Sequence, residues 1–202
     1  MKNYLFIFDM GNVIVKNCAV FDDVVKSLGF KDLNASQKID MLNVFDAATR
    51  GNITSMESLE ITARREGLPA PSENYWLKFF KPEMIEDSVK FVEAIKKQGY
   101  RAVCGTNTID VHYNYHMEHN EYGIFDKVYA SNLIGQMKPD ATFWMAIKEA
   151  EKSYGYDEMF FFDDMEENVR TAKSLGINAH VFTTAQDAAE YVKKTCGIDF
   201  KF

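Results

Sequence analysis

Tyr4-Leu-Phe-Ile-Phe8 is an uninterrupted apolar, β-prone run that stops at an acid, Asp9. A run without polar alternation has no face to offer water and suits a central parallel strand covered on both sides. Parallel neighbours need long crossovers, commonly helical, so such a strand commits the chain to βαβ units. The sequence after Pro82 keeps to that plan. A helix over Ile85–Gln98 is stopped by Gly99, and Tyr100–Cys104 is a strand. Residues 109–122 form a helix, Lys127–Ala130 a strand, and about 141–152 a helix. Met159–Phe162 is a strand running into Asp163-Asp164, and a helix over Glu167–Leu175 is closed by Gly176. Ala179–Phe182 and a helix over about 185–194 complete the alternation. The expected fold class is α/β, a Rossmann-like, doubly wound parallel sheet.

Between the first strand and Pro82 the pattern changes. Asp9-Met-Gly-Asn12 reads as a turn in which Gly11 is free to take positive φ, and Val13-Ile-Val15 as extended chain. Val20, Val24, Val25 and Leu28 then recur at helical spacing, as do Ile39, Leu42, Val44 and Phe45. Thr54-Ser-Met-Glu57 has the spacing of a capping box for a third helix through Arg65. Tyr75, Trp76, Phe79 and Phe80 lie in a fourth, aromatic helix and are read as core of this stretch. The domain reading is therefore a discontinuous α/β core, 1–16 and 83–202, with an all-helical insert, 17–82.

The net charge of −7 argues against a nucleic-acid binder, which carries a basic face. No run approaches the roughly 18 apolar residues needed to span a bilayer, and the short run after Met1 does not make a signal-peptide core. Cys18, Cys104 and Cys196 fit neither a disulfide framework nor a metal knuckle. A cytoplasmic enzyme, monomer or homodimer, without membrane or nucleic-acid partners is expected.

Ligands of open α/β sheets sit outside the carboxyl ends of the strands. Here the strongest strands end in Asp9, in Thr106-Asn107 and in Asp163-Asp164, and Lys138 follows a further strand by one loop. Hard carboxylate oxygens suit Mg²⁺, which retains water and substrate oxygens in its octahedron. Thr106, Asn107 and Lys138 offer donors to phosphoryl oxygens, and Asp9 offers a nucleophile. A small phosphorylated substrate is the partner this set suits.

Phe8-Asp9-Met-Gly-Asn-Val, Gly105-Thr106-Asn107, Lys138-Pro139 and Phe162-Asp163-Asp164 resemble, in order and spacing, the four motifs of the haloacid dehalogenase-like hydrolases. Asn168–Ala172 with Leu175-Gly176 is similar to the helix after the family's fourth motif. The likeness is greatest to the sugar-phosphatase branch that includes α-glucose-1-phosphate phosphatase. The resemblance implies Asp9 as nucleophile and metal ligand, the Gly11 carbonyl and Asp164 as further ligands, and Asp163 as a direct or water-mediated one. It implies Thr106 and Lys138 as phosphoryl holders, with Met10, Gly11 and Asn107 in the same phosphate-binding set. It makes 17–82 a mobile cap, and Arg50, between its helices where the family's caps reach toward substrate, is either a substrate contact or an ordinary loop arginine.

One departure stands out. The family's phosphatases carry a second aspartate two residues after the nucleophile as general acid and base, and here that position is Gly11. Such a group is commonly worth about 10²–10⁴-fold in rate. Either His112, His116 or an insert residue replaces it, or the leaving group departs with less help. His112, His116 and His119 are otherwise read as surface residues of a polar helix. Two rival functions follow: a 2-haloacid dehalogenase, which needs no metal, and a catalytically weakened phospholigand-binding regulator.

Overall fold

The computed structural model describes residues 3–202. β1 (Leu5–Phe8) leads through a tight turn to β2 (Val15–Lys16). Four helices follow: α1 (Phe21–Ser27), α2 (Ala35–Thr49), α3 (Ser55–Arg65) and α4 (Tyr75–Phe79). The chain then runs through β3 (Glu83–Met84), α5 (Glu86–Lys97), β4 (Arg101–Thr106), α6 (Asp110–Glu118), β5 (Lys127–Ala130), α7 (Ser131–Ile134) and α8 (Ala141–Ala150). It ends with β6 (Met159–Asp163), α9 (Glu166–Ser174), β7 (Asn178–Val181) and α10 (Ala185–Cys196). The main sheet is five-stranded and wholly parallel, in the order β5-β4-β1-β6-β7, with β1 at its centre. This is the expected α/β class.

Alternation along the buried strands divides the core in two. Phe6, Phe8, Ala102, Cys104, Phe160 and Phe162 face α5 and α10, meeting Phe91, Val92, Ile95, Ala188 and Val192. Leu5, Ile7, Val103 and Phe161 face α8 and α9, meeting Phe143, Trp144, Ile147, Val169 and Ala172. Burying each such side chain is worth about 1.5–3 kcal/mol, and both faces of β1 take part. That is why Leu5–Phe8 carries no polar residue.

β2 and β3 pair antiparallel, Val15 with Met84 and Lys16 with Glu83, so the chain leaves and re-enters the sheet region through one two-stranded neck. The four helices between them enclose a third apolar cluster, which includes Val24, Met41, Leu59, Trp76 and Phe80 and also takes Ile109 from the loop after β4. Thr54 and Glu57 form the expected capping box at α3, and Asn34 with Gln37 forms another at α2. Gly51, just past α2, has φ +72° and sits where a Cβ would lie 2.0 Å from the Asn132 carbonyl oxygen. Only glycine allows that approach of the insert to α7.

Two local expectations are corrected. The positive φ after Asp9 falls on Asn12 (+56°) and not on Gly11, asparagine being tolerant of the left-handed region. Val13-Ile14 is turn, not extended chain: the Ile14 and Val15 N–H groups both donate to the Met10 carbonyl at 2.9 Å. Helix α7 and the β2–β3 pair have too few residues to show a period. Among the described residues, no helix is long and apolar enough to cross a membrane.

Candidate active site

Strand register assembles the site. Phe8 lies level with Cys104 on one side and Phe162 on the other, and the Asp9 N–H donates to the Phe162 carbonyl at 2.9 Å. Asp9, Thr106 and Asp163 therefore leave the sheet at the same edge. One carboxylate oxygen each from Asp9, Asp163 and Asp164 can be chosen so that all three lie within 4.8 Å of one another. Acids separated by 155 positions share one small volume.

Lys138 sits between two of them. Its side chain is 1% exposed, and Nζ lies 2.8 Å from Asp9 Oδ1 and 2.6 Å from Asp163 Oδ2, while donating to the Gly105 carbonyl at 3.0 Å. Burial by itself would lower the lysine's pKa, but Asp9 and Asp163 outweigh it and hold the ammonium charged above its ordinary value. Asn107 fixes this arm. Its amide donates to the Lys138 carbonyl at 2.8 Å and its oxygen accepts the Lys138 N–H at 2.9 Å. The Asn107 side chain thus braces the main chain of Lys138 through its oxygen and one amide hydrogen. The Lys138–Pro139 bond is cis.

The two adjacent acids are unlike. Asp163 is wholly buried: Oδ1 accepts from the Met165 N–H and from Asn168 Nδ2, both at 2.9 Å, and Oδ2 receives Lys138. Its carboxylate is engaged by the protein, bracing the start of α9 as well as the lysine. Asp164 is partly exposed and, among the described residues, accepts a single bond, from Asn12 Nδ2 at 2.9 Å. Asp9 is half-way between, its side chain 14% exposed. Burial raises the Asp9 carboxyl to about 6; Lys138 opposes that rise and Asp163 adds to it.

The donor set fits a small divalent cation: clustered hard oxygens, an access side at Asp164, and an excess of buried negative charge over the one lysine. Cation binding and protonation compete for Asp9. Between about pH 4 and 6 the folded protein holds a proton that an unfolded aspartate has released, so this group's contribution to stability falls as pH rises through that window. A bound cation removes the penalty. The rise in Tm on adding Mg²⁺ is therefore expected to be larger at pH 7 than at pH 5, and an equal shift at both would separate the carboxylates from metal binding.

A cavity of about 290 Å³ begins beside this edge at Met10, Gly11, Thr106 and Asn107. It extends beneath the insert to Val20, Phe21, Phe45, Trp76 and Phe80, with Ile109, His112 and His116 along its core side. Arg50 does not line it; its guanidinium pairs with Asp140 at 2.6 Å and ties the end of α2 to the loop before α8. The histidines differ from the surface reading. His116 is buried with Nδ1 bonded to Glu121, and only His119 is exposed. His112 Nε2 lies 2.9 Å from the Trp76 carbonyl, its ring stacks on Phe80, and burial lowers its pKa to about 4. Neutral, and bound by Nε2 to a carbonyl, His112 has no proton to offer a leaving group. Helical spacing alone could not show that α4 covers this face of α6. Asp46, which also lines the cavity, carried no sequence signal beyond its place on α2.

No family model matches the chain. A sesquiterpene phosphatase of Aspergillus oryzae is 29% identical to it over 178 residues, 85% of each chain. A HAD-like family hydrolase from Porphyromonas gingivalis superposes with a TM-score of 0.74 at 21% identity, covering 96% of this chain and 98% of that one. A HAD family enzyme from Bacteroides thetaiotaomicron, solved with magnesium and inorganic phosphate, superposes at 0.70 with 22% identity, covering 90% and 95%. In its fold, this chain is similar to the haloacid dehalogenase-like hydrolases.

Proposed function

We propose that the protein is a Mg²⁺-dependent phosphatase acting on a small phosphomonoester, with Asp9 as nucleophile. The observation that carries this reading is the convergence of Asp9, Asp163 and Asp164 around Lys138 at one sheet edge. The phosphatase relative and the neighbour holding magnesium and phosphate support it. A dehalogenase has no use for the second pair of acids, so retention of Asp163-Asp164 speaks for phosphate.

Asp9, Asp164 and the Gly11 carbonyl would hold the ion. The turn leaves that carbonyl aside, its N–H groups going to the carbonyls of Met10 and Val15. Asp163, engaged on both oxygens, would act through water or through Lys138. The ion supplies charge neutralisation for an anionic substrate facing carboxylates. An Asp9 oxygen attacks phosphorus as the ester P–O bond breaks, and the departing alkoxide takes a proton from solvent. Water then attacks the phosphorus of the aspartyl phosphate, losing a proton as inorganic phosphate leaves and the carboxylate is restored. Lys138 and Thr106 would steady the phosphoryl oxygens throughout. The helical insert would serve as a cap over the cavity, with the β2–β3 neck as its attachment.

The test is phosphate release from p-nitrophenyl phosphate with and without Mg²⁺. Release that needs the metal is expected; none in either condition would favour the phospholigand-binding regulator.

Gly11 makes a second measurement informative. With no acid at that position, the rate should fall steeply as the leaving alcohol becomes more basic. Gly11→Asp should flatten that dependence, raising turnover of alkyl phosphates by about tenfold or more while changing p-nitrophenyl phosphate little. Gly11 lies outside the positive-φ region, and an added Cβ would meet only the Cys18 sulfur, at 3.2 Å. Equal slopes for the two proteins would mean that another group already supplies the proton.

A further inference from the structure

We infer that the organic part of the substrate is a hydrocarbon group, housed in the cavity between the Asp9 loop and the helical insert. The inference rests on the phosphatase reading of the Asp9 site and deepens it. The cavity starts at the residues next to Asp9, Met10 and Gly11, so a phosphomonoester poised for attack by Asp9 can lodge its organic group there. Its walls are Val20, Phe21, Phe45, Trp76, Phe80 and Ile109, contributed by both the insert and the loop after β4.

Several of the polar side chains that border it are turned to protein partners, whereas the buried Thr49 Oγ1 and Tyr122 hydroxyl on the same lining have none among the described residues. Trp76 Nε1 donates to Ser58 Oγ at 3.0 Å, and His112 Nε2 is taken by the Trp76 carbonyl. Asn107 holds the main chain of Lys138, and His116 Nδ1 holds Glu121. Asp46 is the one carboxylate along the lining. A polyhydroxylated group entering this space would give up water at each hydroxyl and find open polar partners at Thr49, Tyr122 and Asp46 but few others, a loss of roughly tenfold to a hundredfold in affinity for each hydroxyl left unpaired. Each methylene buried there instead gains about threefold to fourfold. The walls thus favour a hydrocarbon over a sugar, the substrate class of the sequence reading.

The experiment compares kcat/KM, with Mg²⁺ present, for butyl, hexyl, octyl and decyl phosphate and for glucose 1- and 6-phosphate, with p-nitrophenyl phosphate as control of the chemistry. The expected result is at least a tenfold rise from butyl to octyl phosphate, with both hexose phosphates at least tenfold below octyl. A flat alkyl series, or hexose phosphates that match octyl phosphate, would overturn the hydrocarbon assignment while leaving the phosphatase intact if p-nitrophenyl phosphate is turned over. Should no substrate release phosphate, calorimetry on the wild-type protein with Mg²⁺ decides separately. Decyl phosphate binding at least tenfold tighter than inorganic phosphate, with a negative heat-capacity change, supports the assignment, and equal affinity removes it.

Discussion

Asp9→Asn is expected to lower Mg²⁺-dependent phosphate release by at least about 10³-fold, because an amide does not replace a carboxylate as the attacking oxygen. The loss should appear in kcat for activated and unactivated substrates alike, since the first bond to phosphorus is made by this residue in every case. Folding should survive. Asparagine keeps the shape of the side chain, and Lys138 retains Asp163 at 2.6 Å and the Gly105 carbonyl at 3.0 Å. In metal-free buffer at pH 7 the variant should be no less stable than wild type, because the wild-type carboxylate is ionised there against the cost of its burial. Mass spectrometry of an acid-quenched wild-type reaction should find one phosphoryl group on the peptide that contains Asp9. Turnover by the variant at the wild-type rate, or a phosphoryl group on another peptide, would end the nucleophile assignment.

Lys138→Met carries the largest expected effect on stability. Methionine preserves much of the apolar stem but leaves Asp9 and Asp163 facing each other without their cation, and breaking a buried pair in this way costs about 3–5 kcal/mol. The loss depends on pH because a carboxyl can escape by taking up a proton. Asp9 already titrates near 6 with the lysine present, so without it the proton is held more firmly still. At pH 5 the deficit in urea unfolding should therefore be smaller than at pH 7, and saturating Mg²⁺ should recover part of it at pH 7. Catalysis should fall by about 10²-fold or more even where the fold is retained, since a fixed charge next to the phosphoryl oxygens is lost. An identical deficit at pH 5 and pH 7 would assign the lysine to packing rather than to charge.

The sequence was most informative where a feature is written within about ten consecutive residues. Tyr4–Phe8 and Met159–Phe162 declared themselves as strands because neither run carries an alternating polar face. Thr54 with Glu57 declared a helix start because capping is a matter of three residues. The acids, Thr106 and Lys138 were legible because strand ends of a parallel sheet gather at one edge. Met10 and Gly11 follow Asp9 directly, and both border the cavity. Arg50 was proposed from its place between helices, and the structure gives its guanidinium to Asp140.

Tertiary structure decided which atoms remain free. Asn107 offers an amide in the sequence, but only the folded loop shows it bonded twice to the main chain of Lys138. Asp163 and Asp164 are adjacent and chemically identical, yet one points into Lys138, Met165 and Asn168 while the other meets Asn12 at the rim. His112 looked exposed on a short polar helix until α4 covered it. The polarity of the cavity, too, arises from residues as far apart in the chain as Val20 and Ile109. Local propensity and chain order determined the elements and the edge at which the acids meet, because those depend on neighbours in sequence. The free valence of each polar group and the character of the cavity depend on partners brought from tens of residues away, and those only the packed structure supplies.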